Sequence, residues 1–171
     1  MSVKILFLDD IFSPLFRKQF PADQLIWDDN WISSLEQGLA DSEAKIGVCI
    51  ELVKSGDIDS CRELIKKEKP DLVLLDLFWP EDAQRKFGDR RRATDIAIDT
   101  LKRIREAFPV LPVICYTVQP DRELMEEAYA AGATIFLEKV VLALAEIQSP
   151  LKYILFYLLR QMQSKAESGL K

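Results

Sequence analysis

The 171-residue chain contains no histidine. That absence removes a histidine-based catalytic triad, a histidine metal ligand and any self-contained phosphohistidine relay, so any phosphoryl group must come from another molecule. No apolar run approaches the roughly 20 residues that span a bilayer. The first such run, Ile5 to Leu8, is too short for a signal peptide and ends in two aspartates, so a cytoplasmic location with no membrane partner is expected. Cysteine is scarce: Cys49, Cys61 and Cys115 are isolated, odd in number and without metal-ligand spacing, and read as reduced thiols. Net positive charge is lacking as well. A balance of -5 argues against nonspecific nucleic-acid binding, although Lys86 and Arg90-Arg91-Arg92 form a local basic cluster.

What is present suits a folded domain with a full core: 49% hydrophobic and 30% charged residues over a length that allows one domain plus insertions. Val3 to Leu8 predicts a fully buried strand, since its apolar residues run on with little polar alternation before a charged pair. Further strands are expected over 46–53, 72–75 ending at Asp76, 113–116 ending at Thr117, and 134–137. Helices are expected over 31–39, 58–67, 96–108 and 123–131, the last closed by Gly132 as a left-handed cap. Ser149 as a cap and Pro150 at the first position predict a final helix over about 150–163, with Leu151, Ile154, Leu155, Leu158 and Leu159 facing the sheet. Alternating strands and helices imply an α/β fold with a parallel sheet covered on both faces. Two segments, 11–30 and 81–95, do not fit the alternation and are expected as loop insertions.

Three of the strands end in charge: Leu8-Asp9-Asp10, Leu75-Asp76 and Leu137-Glu138-Lys139. Open α/β sheets bind ligands outside the carboxyl ends of their strands, so these distant residues are expected to converge. Two carboxylates about 4 Å apart repel by about 4 kcal/mol at an effective dielectric near 20. A divalent cation relieves that repulsion, and Mg²⁺ commonly uses one or two carboxylates, waters and a phosphate. Asp9, Asp10 and Asp76 are therefore candidate Mg²⁺ ligands, and Asp76 a candidate nucleophile toward phosphorus. Lys139 and the Thr117 hydroxyl supply the positive charge and donor that a transferred anion needs.

At these residues the chain resembles the receiver domain of two-component response regulators. The match lies in the acidic pair after strand one, PDLVLLDLFWP over 70–80, CYT over 115–117 and GATIFLEK over 132–139, and covers roughly residues 1–10, 46–80 and 96–140. The resemblance implies a flavodoxin-like (CheY-like) five-stranded parallel sheet, with Asp76 as phosphoacceptor and Asp9, Asp10 and the backbone carbonyl of Phe78 holding Mg²⁺ with it. It further implies Thr117 as the switch hydroxyl, Lys139 as the phosphate-pairing ammonium and Phe136 as the rotating switch aromatic. Pro80 matches the family's proline, while Phe78 and Gln119 stand where the family tunes hydrolysis and Val140 where a proline usually follows the lysine. A single-domain receiver of this kind is not an enzyme. It takes its phosphoryl group from a sensor histidine kinase or phosphotransfer protein, signals to a downstream protein target and has no DNA-binding domain.

Each residue also has an ordinary use. Asp9 and Asp10 alone fit a strand-end turn, Thr117 a backbone-bonded hydroxyl, Lys139 a solvated charge and Phe136 a core side chain; the weight rests on the set. Trp27, Trp31 and the nearby phenylalanines read as staples of the first insertion, since large aromatics bury roughly 150–250 Å² each. The basic run reads as a solvated loop, and the outer face of the last helix, with Tyr153 and Tyr157, offers a surface for a homodimer. Two other functions stay open: a phosphorylation-independent interaction module of receiver-like fold, and a Mg²⁺-dependent phosphohydrolase. The latter type carries a second aspartate two residues after the nucleophile, where this chain has Phe78.

Overall fold

The computed structural model describes residues 2–139 and 151–168. Five strands, β1 (Ser2–Leu8), β2 (Cys49–Ser55), β3 (Leu72–Asp76), β4 (Val113–Thr117) and β5 (Ile135–Glu138), pair in parallel in the order β2-β1-β3-β4-β5. Every residue of β3 and β4 is buried, which is why these central strands read as continuous apolar runs.

Chain direction across the sheet reverses between β1 and β3, and that reversal sends the helices to opposite faces. One core layer holds Leu6, Leu8, Val73, Leu75, Val113 and Cys115 against α4 (Cys61–Glu68), α5 (Pro80–Phe87), α6 (Ala93–Ala107) and α7 (Arg122–Ala130). The other holds Val3, Ile5, Phe7, Leu74, Ile114 and Tyr116 against α2 (Ile26–Ala40) and α8 (Leu151–Ser168). The expected five-stranded parallel sheet with helices on both faces is observed. The face foreseen for α8 is the packed one, with Leu151 and Leu155 buried and Tyr153 and Tyr157 exposed. Ser149, Pro150 and Val140 lie outside the described residues.

Four local expectations are corrected. Residue 46 ends a short helix, α3 (Ser42–Ile46), rather than opening β2. Gly47 caps it at φ +69, and the buried Ser42 hydroxyl donates to Val48 O at 2.5 Å, so the chain turns before extending. Helix α4 starts at Cys61, three residues later than its apolar pattern suggested, because Asp57 holds Ser60 N at 3.2 Å and Ser60 Oγ at 2.6 Å in a turn. Most of 81–95 is not loop: Pro80 opens α5, Gly88 closes it at φ +70, and a 3₁₀ turn (Arg90–Arg92) leads into α6. The segment 11–30 holds a 3₁₀ turn (Asp10–Phe12), the short α1 (Pro14–Arg17) and the first turn of α2, which begins five residues before Trp31.

Gly132 follows α7 at φ +105, in keeping with the cap read from the sequence. Cys61 and Cys115 are buried free thiols, which burial pushes up to about 12, and Cys49 is exposed and free. Among the described residues no helix is long and apolar enough to cross a membrane.

Candidate functional site

The ends of β1 and β3 flank the reversal point of the sheet, where ligands of open α/β folds bind. Asp9 and Asp10 follow β1, Asp76 ends β3, Thr117 ends β4 and Lys139 follows β5. One carboxylate oxygen from each of Asp9, Asp10 and Asp76 lies within 4.8 Å of the others, and all three residues are buried. Lys139 is buried too, and its ammonium lies 2.8 Å from Asp9 Oδ2 and 3.3 Å from Asp76 Oδ2. Of the five strand-end residues foreseen, these four come together.

Local geometry holds the carboxylates in place. Asp9 caps the 3₁₀ turn with Oδ1 accepting from Ile11 N at 3.0 Å, and Asp76 Oδ1 accepts from Phe78 N at 3.1 Å. The indole N–H of the buried Trp79 donates to Asp76 O at 2.6 Å, fixing the peptide behind the carboxylate. Gly56, after β2, makes room for this arrangement: a Cβ there would collide with the backbone of Phe12 and Ser13, so only glycine lets that turn press against the segment carrying Asp10.

One ammonium does not balance three carboxylates. Burial, followed by the charges of Asp76 and Asp9, raises the pKa of Asp10 far above the ordinary carboxylate value; burial, followed by Asp9, raises that of Asp76, with Lys139 opposing. Burial works against the charge of Lys139, but Asp76 and Asp9 outweigh it and hold its pKa above that of an ordinary lysine. Three buried carboxylates with unmatched charge are a donor set that fits a hard divalent cation.

Two contacts were not legible as site features. The Tyr116 hydroxyl donates to Asp9 Oδ2 at 2.7 Å, and burial together with Asp9 keeps the phenol protonated well above its ordinary range. Trp31 of α2 donates its indole N–H to Lys139 O at 2.9 Å and sets its ring 5.0 Å below the Lys139 ammonium. The sequence marks Tyr116 as a strand residue within CYT and Trp31 as a helix start and a staple, and neither as part of the site. The available signal was a pair of aromatics with polar tips, one of them next to a strand end.

Thr117 is buried, and its hydroxyl accepts from Gln119 N at 3.2 Å, a loop contact rather than one to Asp76. Phe136 is half-buried against the core, with its backbone N–H donating to Tyr129 OH at 3.2 Å. Phe78 lines the mouth of the site. That mouth is a cavity of about 270 Å³ bounded by Asp10, Asp28, Asp76, Glu81, Arg90 and Lys139 among apolar side chains that include Phe16, Phe20 and Trp27. The first segment thus lays aromatics over the acidic site.

Comparison with solved structures finds the same architecture. The signal receiver domain of a Vibrio parahaemolyticus protein described as a Luxo repressor is 19% identical, with 98% of each chain covered and a TM-score of 0.58. The fold is that of response-regulator receiver domains. The BeF3-activated N-terminal receiver domain of Klebsiella pneumoniae RstA is 20% identical over 80% of this chain and 85% of that one, with a TM-score of 0.51. NtrX from Brucella abortus is 21% identical with a TM-score of 0.59; all of this chain is covered, but it spans only 30% of NtrX. No protein-family model and no curated protein matches the chain. At such identities the likeness establishes the receiver fold alone.

Proposed function

We propose that the chain is a phosphorylation-dependent signalling switch of two-component type that accepts a phosphoryl group on Asp76. The observation that supports this most is the convergence of three buried carboxylates with Lys139 at the end of β3 in a receiver fold. In the transfer, an Asp76 carboxylate oxygen bonds to phosphorus while the bond from phosphorus to the donor breaks, and the electron pair leaves with the donor. Lys139, already within reach of Asp76, pairs with the anion formed. Thr117 leaves Gln119 N and turns its hydroxyl to the phosphoryl group, with Phe136 following. Asp9, Asp10, Asp76 and the Phe78 carbonyl are the groups that would hold Mg²⁺, which when bound offsets the charge of the carboxylates and of the entering phosphoryl group.

The donor in this reading is a histidine kinase or phosphotransfer protein, and the output is a changed affinity for a downstream protein. Moving a population from 1:99 to 99:1 requires about 5.5 kcal/mol of partner preference for one state. The chain is a stoichiometric acceptor in this scheme rather than a turnover enzyme.

Labelling with acetyl phosphate and Mg²⁺, followed by peptide mapping, tests the reading. Wild type is expected to gain one phosphoryl group on the peptide carrying Asp76, and Asp76→Asn none. Equal labelling of the two ends the assignment. A wild type that neither binds Mg²⁺ nor labels points to a phosphorylation-independent interaction module, and steady turnover of a phosphomonoester to a phosphohydrolase.

A further inference from the structure

The three arginines of the basic run from Lys86 to Arg92 are held differently. Arg91 lies back on Asp89, with Nε and Nη2 each 3.0 Å from a carboxylate oxygen. Arg92 pairs with Asp95 at 2.6 Å and stacks its guanidinium over the Phe87 ring at 3.8 Å. Arg90 instead lines the cavity that contains Asp76 and Lys139, where it forms an ion pair with Glu81, another lining residue. We propose that Arg90 is a phosphoryl-binding residue of this site, which takes oxygens of the donor phosphate and then of the group on Asp76, with Glu81 as its resting partner.

This inference rests on the reading of Asp76 as acceptor, and the cavity's charges carry it. Asp10, Asp28, Asp76 and Glu81 face Lys139 and Arg90 there. The acyl phosphate formed on Asp76 carries up to about two negative charges where the carboxylate carried one. Lys139 is 4% exposed and already committed to Asp9 and Asp76, whereas the Arg90 side chain is 52% exposed and has room to move. A guanidinium presents several donors in a planar fork, so one edge can keep Glu81 while another meets phosphate oxygens.

Its backbone is placed for the task. Asp89 caps the turn by accepting from Arg91 N at 3.0 Å, and Trp79 N donates to Ala93 O at 3.2 Å, tying the Arg90 segment to the chain just beyond Asp76. With acetyl phosphate as donor, the Asp76 oxygen bonds to phosphorus, the phosphorus–oxygen bond to the acetyl group breaks and acetate leaves with the electron pair. Arg90 neither gains nor loses a proton.

The test compares wild type with Arg90→Gln, Arg90→Lys and Arg91→Gln, reading Mg²⁺ affinity alone, beryllofluoride affinity with Mg²⁺ present, and the initial rate of labelling by acetyl phosphate. Arg90→Gln is expected to weaken beryllofluoride binding and slow labelling by roughly tenfold while leaving Mg²⁺ affinity within about twofold. Arg90→Lys recovers part of the loss, and Arg91→Gln, which removes the same charge from the same turn, matches wild type. Labelling and beryllofluoride binding unchanged in Arg90→Gln, or lowered equally in Arg91→Gln, overturns the role of Arg90 and leaves Asp76 as acceptor. A wild type that neither labels nor binds beryllofluoride overturns both.

Discussion

The two flanks of Asp76 are built on different terms. On one side Asp9, Lys139, Tyr116 and Trp31 are all buried, and each donor has an acceptor: phenol to Asp9, ammonium to Asp9 and Asp76, indole to the Lys139 carbonyl. On the other side Asp10, Asp28, Glu81 and Arg90 border a cavity, their charges only partly matched. Asp28 shows the strain of that side: burial raises its pKa, with Lys139 opposing. The closed flank fixes where Asp76 stands, and the open flank leaves its own charges only partly matched.

Breaking the closed flank should cost most. Lys139→Met strands Asp9 and Asp76 without their cation, and a loss of about 3–5 kcal/mol is expected in urea unfolding of metal-free protein. A loss under about 1 kcal/mol would mean that the two carboxylates do not depend on that ammonium.

The open flank responds in the opposite sense. Asp10 and Asp76 have folded-state pKa values raised above the unfolded value of about 4, so the folded protein binds more protons. Their contribution to stability is full below that unfolded value and is lost as pH rises through the raised folded values. Asp10→Asn removes one of these groups and should stabilise metal-free protein by about 1–3 kcal/mol at mildly alkaline pH, while weakening Mg²⁺ binding. Metal-free stability that climbs with pH over that range in wild type would contradict the assignment of unmatched charge.

Smaller changes sharpen the comparison. Trp31→Phe and Tyr116→Phe each remove one donor from the closed flank and should cost about 1–2 kcal/mol by thermal or urea unfolding. Arg90→Gln, on the open flank, should change unfolding by less than about 0.5 kcal/mol, since an exposed ion pair contributes little to stability. A cost as large as that of Tyr116→Phe would make Arg90 structural.

Much of this was legible in the chain because a buried parallel strand has only one pattern available. Runs such as Leu72-Val73-Leu74-Leu75 announce themselves, and a charged residue after such a run lies at a sheet edge by geometry alone. The helix over 80–87 was also written in the residues, with Pro80 at its start, Glu81 and Asp82 in the first turn, Arg85 and Lys86 in the last and Gly88 beyond. It was missed because so few apolar residues mark a face; of its side chains only Asp82 and Ala83 are buried. The β2 boundary failed for another reason: Ile46 is apolar in a helix or a strand, and only the Gly47 cap decides. Tyr116 and Trp31 belong to the site through contacts 107 and 108 residues apart in sequence, which no local pattern encodes.

All three tryptophans of the chain stand around this one hollow. Trp27 is half in solvent at its rim, Trp31 lies beneath the lysine and Trp79 is bonded behind the aspartate. The native emission of the unlabelled protein is therefore a built-in gauge of occupancy: titrating a cation or a phosphate mimic should move its intensity or wavelength. Single tryptophan-to-phenylalanine replacements then say whether rim, floor or back wall feels the newcomer first.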